Sequence, residues 1–485
     1  MMKGLKIMYK SIGYALVALI AVAMAGCDDN DSFSASAGNV LTFSTDTVRI
    51  DTLFSTVPST TRSFWVYNNS GDGIRCSSVS LENGDKSGFR VNVDGTYLSP
   101  ASSYTATDVE IRKGDSIRVF VELTSSTNGA ETPQLLEDNL VFQLESGVTQ
   151  KVNLTAYTWD ALKLTNAVIT SDTTFSTARP ILVYGGITVA EGATLTLAAG
   201  TTLYFHDGAG IDVYGRLCTE GQAGNEVVLR GDRLDNMFDY LPYDLMSGLW
   251  NGLTFHASSY DNTLAFTDIH STFDGVVCDS ADATRPKLTM RHCTIHNCQG
   301  YGLRATNSLL VLENCQLTNA MQGSVCINGG DVTMNFCTLA QYYPFDSNRG
   351  PALAYYATSD SPLLRMDFVN GIVTGFADDQ VFGGADNDST AFNYRFVSSI
   401  LRTPEVSDSA RIVNVIFEDV SDTAAIQGTK HFQLVSHDTQ HYDFHLSAQS
   451  TAIDRASTDY ATATDRDGTT RDATPDIGCY ERVKE

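Results

Sequence analysis

Three cysteines, Cys293, Cys315 and Cys337, stand 22 residues apart, each inside the same short phrase. Residues 291–295 read RHCTI, 313–317 read ENCQL and 335–339 read NFCTL. The register extends to flanking positions: Leu288, Leu310 and Val332; Met290, Leu312 and Met334; Ile295, Leu317 and Leu339. A polar ladder follows at Asn297, Asn319 and Gln341. A fixed period of this length means one supersecondary unit stacked on copies of itself. A propeller blade wants roughly 40–50 residues, a period the chain does not show.

The flanking sequence says what the unit is. Residues 183–218 alternate short β runs with glycine-containing bends: Ile187 and Val189, Leu195 and Leu197, Leu203 and Phe205, Ile211 and Val213. Glycines at 192, 200, 208, 210 and 215 suit the corners. Residues 251–256 and 264–269 resume the winding after an interruption, and less regular rungs follow the cysteine ladder. The pattern predicts a right-handed parallel β-helix, with rungs about 4.8 Å apart. Strand parity turns Cys293 inward with Ile295 and puts His292 in a corner slot shared with Asn314 and Phe336. Ten cysteines, less Cys27, leave an odd number. The ladder is therefore read as packed thiols rather than a disulfide framework.

Upstream, residues 41–160 hold several short alternating runs, among them SIRVFVEL and NLVFQLES, which predict a two-sheet sandwich. The first residues look like an address. Lys3, Lys6 and Lys10 precede an apolar run over 14–25, and small residues then lead to Cys27. This resembles a bacterial lipoprotein signal, which implies Cys27 as the lipidated residue. Asp28, Asp29 and Asp31 resemble the acidic patch of lipoproteins exported to the surface of Bacteroidetes. The phrases FSTDTVRIDTLFST, FRVNVDG and KVNLTAY resemble an immunoglobulin-like domain common in such proteins, which implies a spacer or interaction module. The ending AIDRASTDYATATDRDGTTRDATPDIGCYE resembles the choice-of-anchor Q segment that follows bacterial β-helices. The matching positions are Asp454, Asp465, Gly468, Arg471, Asp476, Gly478 and Glu481. The domains expected are a signal peptide over 1–26, a tether over 27–40, a sandwich over 41–160, a β-helix over 161–429 and a cap over 430–485. The fold class expected is all-β.

The formal charge of −25, from 32 basic and 57 acidic residues, repels nucleic acid. The interruption at 231–250 is the main candidate surface. Phe238, Tyr240, Tyr243 and Trp250 alternate with Asp235, Asp239 and Asp244. Aromatic faces beside carboxylates can stack on and hydrogen-bond to sugar rings, or the same rings can close over the core. The paired carboxylates Asp378 and Asp379 are the candidates for glycosidase chemistry, or simply an exposed acidic turn. Arg291 and Arg304 are the basic candidates for a lyase, against the plainer reading of solvated side chains. His292, Cys293, His296 and Cys298 are all zinc-ligand types, but parity separates them, so no metal centre is expected. No cofactor is called for. Asp465-Arg466-Asp467-Gly468 keeps structural calcium open, against an ion-paired reading of Asp465 or Asp476 with Arg471. The sequence thus predicts an outer-membrane lipoprotein exposed at the cell surface, without catalysis, binding or displaying glycans. The alternatives are a polysaccharide-active enzyme and a structural spacer or adhesin.

Overall fold

The computed structural model describes residues 32–238 and 240–483, so the expected lipidation site Cys27 lies outside the described residues. The chain divides into two compact units. One holds the described residues up to Asn128 with Pro133–Thr158; the other holds Gly129–Thr132 with the chain from Trp159 onward. Among the described residues no helix is long and apolar enough to cross a membrane.

Among the described residues, the first unit is a sandwich of two five-stranded sheets. Its strands alternate as the sequence alternates. Along Ser116–Leu123, every second side chain (Ile117, Val119, Val121, Leu123) is buried. These meet Phe142, Val152 and Leu154 of the opposite sheet in one core.

The second unit is a right-handed parallel β-helix with 26 strands among the described residues, stacked into three faces. Ile211–Val213, Leu253–Phe255 and Val276–Cys278 begin to line the first face in register. Asn262–Ala265 and Pro286–Arg291 belong to the second. The third face runs through Thr202–Phe205, Val227–Gly231, Thr267–His270, Thr294–Cys298, Gln316–Ala320, Thr338–Gln341 and Ile372–Gly375. Inward residues stack on their equivalents: Leu288 on Leu310 on Val332, and Ile295 on Leu317 on Leu339.

The cysteine ladder sits at the corner between the second and third faces. Phe266, His292, Asn314, Phe336, Asn370, Ser398 and Asn414 all adopt positive φ there, between 42° and 56°. The N–H groups of Asn314, Phe336 and Asn370 each donate to a carbonyl one layer on. The next residue then points into the tight inner bend. It is Thr267, Cys293, Cys315, Cys337, Gly371 or Ser399 on successive layers. Space explains the choice: a Cβ on Gly371 would come within 2.4 Å of the Phe368 ring. Cys293, Cys315 and Cys337 are fully buried free thiols that donate to nearby carbonyls. The Asn319 and Gln341 amides bond to bend backbone, through the Tyr342 N–H at 3.2 Å and the Ala320 and Gly350 carbonyls.

The C-terminal segment, expected from sequence to cover the end of the solenoid, packs along its flank. Phe432, Phe444, Ile477 and Tyr480 bury Ala340, Tyr342, Ile372 and Ile400 of the third face and its edge. Polar contacts fasten it to the corner: His292 to the Asp465 carbonyl, Asn314 to Arg471, and Asn370 to the Ser457 backbone. The reason is visible in the strands. Ile372 and Ile400 are apolar at outward positions, so that face needs a cover. Within this segment Arg471 pairs with Glu481, at 3.1 Å, rather than with Asp465 or Asp476. The carboxylates of Asp465 and Asp476 instead accept backbone N–H groups, from Asp467, Thr469 and Glu481 and from Asp454 and Arg482. Asp465 is therefore already committed to its own turn, and Asp467 turns to His445 at 2.9 Å.

Candidate functional site

Outward side chains of the third face form a column on four successive layers: Tyr204, Arg230, His270 and His296. A neighbouring column carries Val228, Asp268 and Thr294. Parallel pairing without a register shift places these groups one layer apart by construction. The 231–250 interruption leaves the solenoid just after Arg230 and returns beside His270. Its return is tied down by the Gly248 and Leu249 N–H groups on the Thr272 and Ser271 carbonyls, each at 2.8 Å.

The loop brings Asp244 into the column. Arg230 Nη2 lies 2.7 Å from Asp244 Oδ1, and His270 Nε2 lies 2.9 Å from the same oxygen. On its other side, His270 Nδ1 lies 2.8 Å from Asp268 Oδ1. His296 Nε2 lies 3.3 Å from that Asp268 oxygen, and the two imidazoles stack with centroids 4.8 Å apart. The His270 side chain is only 7% exposed, whereas Asp268 and His296 are about a quarter exposed and Asp244 is 40% exposed. Burial alone would lower the His270 pKa, but the Asp268 charge and the hydrogen bonds to Asp244 and Asp268 outweigh it and push it up to about 9. The same contacts outweigh burial at Asp268 and hold its carboxyl well below the usual range. Asp244 is also lowered, since His270 and Arg230 overcome its own desolvation.

Two further elements border this group. Ser247 of the loop meets Tyr343 of the next long corner connection at 2.7 Å between hydroxyls. From the C-terminal segment, Arg466 donates through Nε to Thr294 at 2.8 Å and pairs with Glu226 and Asp467.

The aromatic candidates of the loop separate. Phe238 and Tyr240 stand on a small hairpin, Asn236–Phe238 against Leu241–Pro242, and are 52% and 70% exposed. Their rings stack at 5.7 Å and 10°. Tyr243 lies under the Arg233 guanidinium at 3.7 Å, with Arg233 held by both Asp235 oxygens. Trp250 is not a surface residue. It is 1% exposed, stacks on Phe205 at 4.1 Å and donates from Nε1 to the His270 carbonyl. Its ring belongs to the buried core of the solenoid, so it cannot meet a ligand.

The remaining sequence candidates lie elsewhere. Asp378 is exposed and Asp379 half-buried, and both line a pocket of about 360 Å³ with Glu405, Glu418 and Asp419. That pocket is five strand layers from Arg230, roughly 24 Å at ~4.8 Å per layer. Arg291 faces Glu313 and Arg304 faces Asp274 as exposed pairs. Cys293 and Cys298 point into the core and His292 stacks on Phe266, so of the four zinc-type residues only His296 reaches this cleft. Sequence reasoning missed Asp268 and His270. The signal was present: residues 267–270 read TDIH and 294–296 read TIH, which put two histidines at equivalent outward positions.

A family model described as "Right handed beta helix region" matches residues 161–339. No curated protein matches the chain. Among solved structures, a family 123 glycoside hydrolase from Clostridium perfringens, studied for glycolipid glycan hydrolysis, aligns at 8% identity and TM-score 0.18. That alignment covers 26% of this chain and 30% of the hydrolase, under a third of its length. The catalytic unit of a GH87 α-1,3-glucanase from Streptomyces thermodiastaticus aligns at 11% identity and TM-score 0.23, over 73% of this chain and 88% of that one. Overlaps this loose transfer no activity. The family match and the uninterrupted parallel pairing identify the second unit as a right-handed parallel β-helix.

Proposed function

We propose that the chain is a cell-surface lipoprotein that binds glycans without cleaving them, through the Phe238–Tyr240 hairpin and the polar cleft beside it. The observation that carries this reading is the exposed, stacked aromatic pair, held on a hairpin whose two ends are anchored by Arg233–Asp235 and by Asp244. Large apolar rings left in water on a braced projection cost solvation unless a partner covers them. Sugar rings offer the flat apolar faces and hydroxyls that suit aromatics next to carboxylates.

A glycan array followed by product analysis tests this. Phe238→Ala and Tyr240→Ala are each expected to weaken binding about 10-fold, from loss of one stacked ring. Both rings are exposed, so stability should stay within about 0.5 kcal/mol. Full binding by the double variant would refute the assignment. The anchor has its own test. Cys27→Ala is expected to move the protein from the detergent phase to the aqueous phase, and unchanged partitioning would rule lipidation out.

One observation favours the enzymatic alternative, a glycosidase or lyase: several carboxylates, Asp378 and Asp379 among them, line one pocket. Cleavage of an array hit that is lost in Asp378→Ala would replace the binding reading with this one.

A further inference from the structure

We propose that Asp268, His270 and His296 form a binding site for a divalent first-row transition cation such as zinc. Their ligand atoms, one from each side chain, all lie within 4.8 Å of one another. Two imidazoles with one carboxylate are a ligand set suited to such metals, and three protein ligands leave a coordination position open. The opening is toward solvent, since Asp268 and His296 are each about a quarter exposed.

The positions are imposed by the fold. His270 and His296 are direct partners in a parallel ladder, so their Cα atoms are one layer apart and their rings stack. Asp268 shares a strand with His270 and faces outward two residues earlier, the natural spacing on one side of a strand. Ligands about 2.0–2.2 Å from a tetrahedral ion stand about 3.4 Å apart. The Asp268–His296 contact, at 3.3 Å, already matches. The Asp268–His270 contact, at 2.8 Å, has to open by about 0.6 Å, and the His270–His296 pair, within 4.8 Å, has to close.

An independent feature points the same way. His270 Nε2 faces Asp244, which is itself held by Arg230 at 2.7 Å. A ligating histidine characteristically gives its other ring N–H to a carboxylate, which fixes the tautomer and orients the ring. Here that outer carboxylate exists and has its own support. With the Nε2 proton on Asp244, the Nδ1 lone pair faces Asp268 and His296. Without a cation, two imidazole nitrogens converge on the single oxygen Asp268 Oδ1, and each must carry a proton to satisfy it. Binding of the cation displaces both protons: that of His270 Nδ1 goes to solvent, and that of His296 Nε2 goes to solvent or to the Nδ1 of the same ring. The site stands whether or not the cleft binds glycan.

The test is titration of the EDTA-treated full-length protein with Co²⁺, read by visible d–d absorption, and with Zn²⁺, read by elemental analysis after desalting. One equivalent of tightly held metal is expected. His296→Ala should abolish it, and Asp244→Asn should weaken it about 10–100-fold, as loss of an outer-shell partner does. Far-UV circular dichroism checks that each variant is folded, and His296→Gln is the fallback if alanine disturbs the face. Asp378→Asn/Asp379→Asn should bind normally, which separates the site from diffuse attraction by an acidic surface. The proposal is overturned by sub-stoichiometric binding, by full binding in both His296 variants, or by loss of binding in the Asp378/Asp379 double variant.

Discussion

Arg471→Ala is expected to cost about 3–5 kcal/mol and to release the C-terminal segment from the third face. The Arg471 side chain is 1% exposed and has no water to fall back on. Its Nη1 contacts Glu481 at 3.1 Å and the Asp476 carbonyl at 3.3 Å, while Nη2 donates to Asn314 Oδ1 at 2.9 Å and the Gly478 carbonyl at 3.0 Å. The guanidinium also lies 3.9 Å over the Phe336 ring, on the same corner column as Asn314. One side chain thus joins the segment's final turn to two solenoid layers. Truncation leaves Glu481, 4% exposed, as a buried charge without its cation. The backbone N–H groups of Asp472 and Asp476 still reach Glu481, so the turn itself has partial support. What is lost is the tie to the solenoid. In a stacked structure such a loss stays local, because each layer depends mainly on its neighbours. Hydrogen exchange should therefore speed up at 465–481 while layers near 187–213 keep their protection. Unchanged exchange at Gly478 and Cys479, whose N–H groups bond to Asn370 and Thr338 of the solenoid, would refute the assignment.

The winding of the solenoid was legible because its chemistry repeats. Cys293, Cys315 and Cys337 occupy one steric slot, and that slot accepts only small side chains, so the same residue type recurs. Parity then placed Ile295 inside and His296 outside. The cleft was less legible because its members are joined across layers rather than along the chain. Asp244 reaches His270 through a loop whose path depends on where Trp250 packs. Arg466 reaches Thr294 from a segment 172 residues away. The direction of that segment was hidden for a similar reason. An apolar outward residue such as Ile372 looks like core until the third face is known to need a cover. Loop composition also misled: four aromatics read as one surface, yet they divide into an exposed pair, a ring under Arg233 and an interior tryptophan.

Trp250→Ala is expected to cost about 3–5 kcal/mol, the range for removing a large aromatic from a packed interior. Trp250 fills the inside of the solenoid against Phe205, with rings 4.1 Å apart and nearly parallel. Truncation leaves a cavity between layers that the parallel ladders hold at fixed spacing, so little collapse can offset it. It also leaves the His270 carbonyl without its indole donor, at 2.8 Å in the native protein. That carbonyl belongs to the strand that carries the His270 imidazole, and residues 248–250 return beside it. Loss of the ring therefore loosens the anchor that holds Asp244 against Arg230 and His270. Trp250→Phe separates the two effects. It keeps most of the apolar contact and removes the hydrogen bond, for an expected cost of about 1–3 kcal/mol. Denaturant unfolding of the three proteins gives the ranking. A Trp250 that stacked on a sugar instead would behave in the opposite way, with alanine abolishing binding and leaving stability within about 0.5 kcal/mol of the native value. That second outcome would move Trp250 back to the surface, away from Phe205 and the His270 carbonyl.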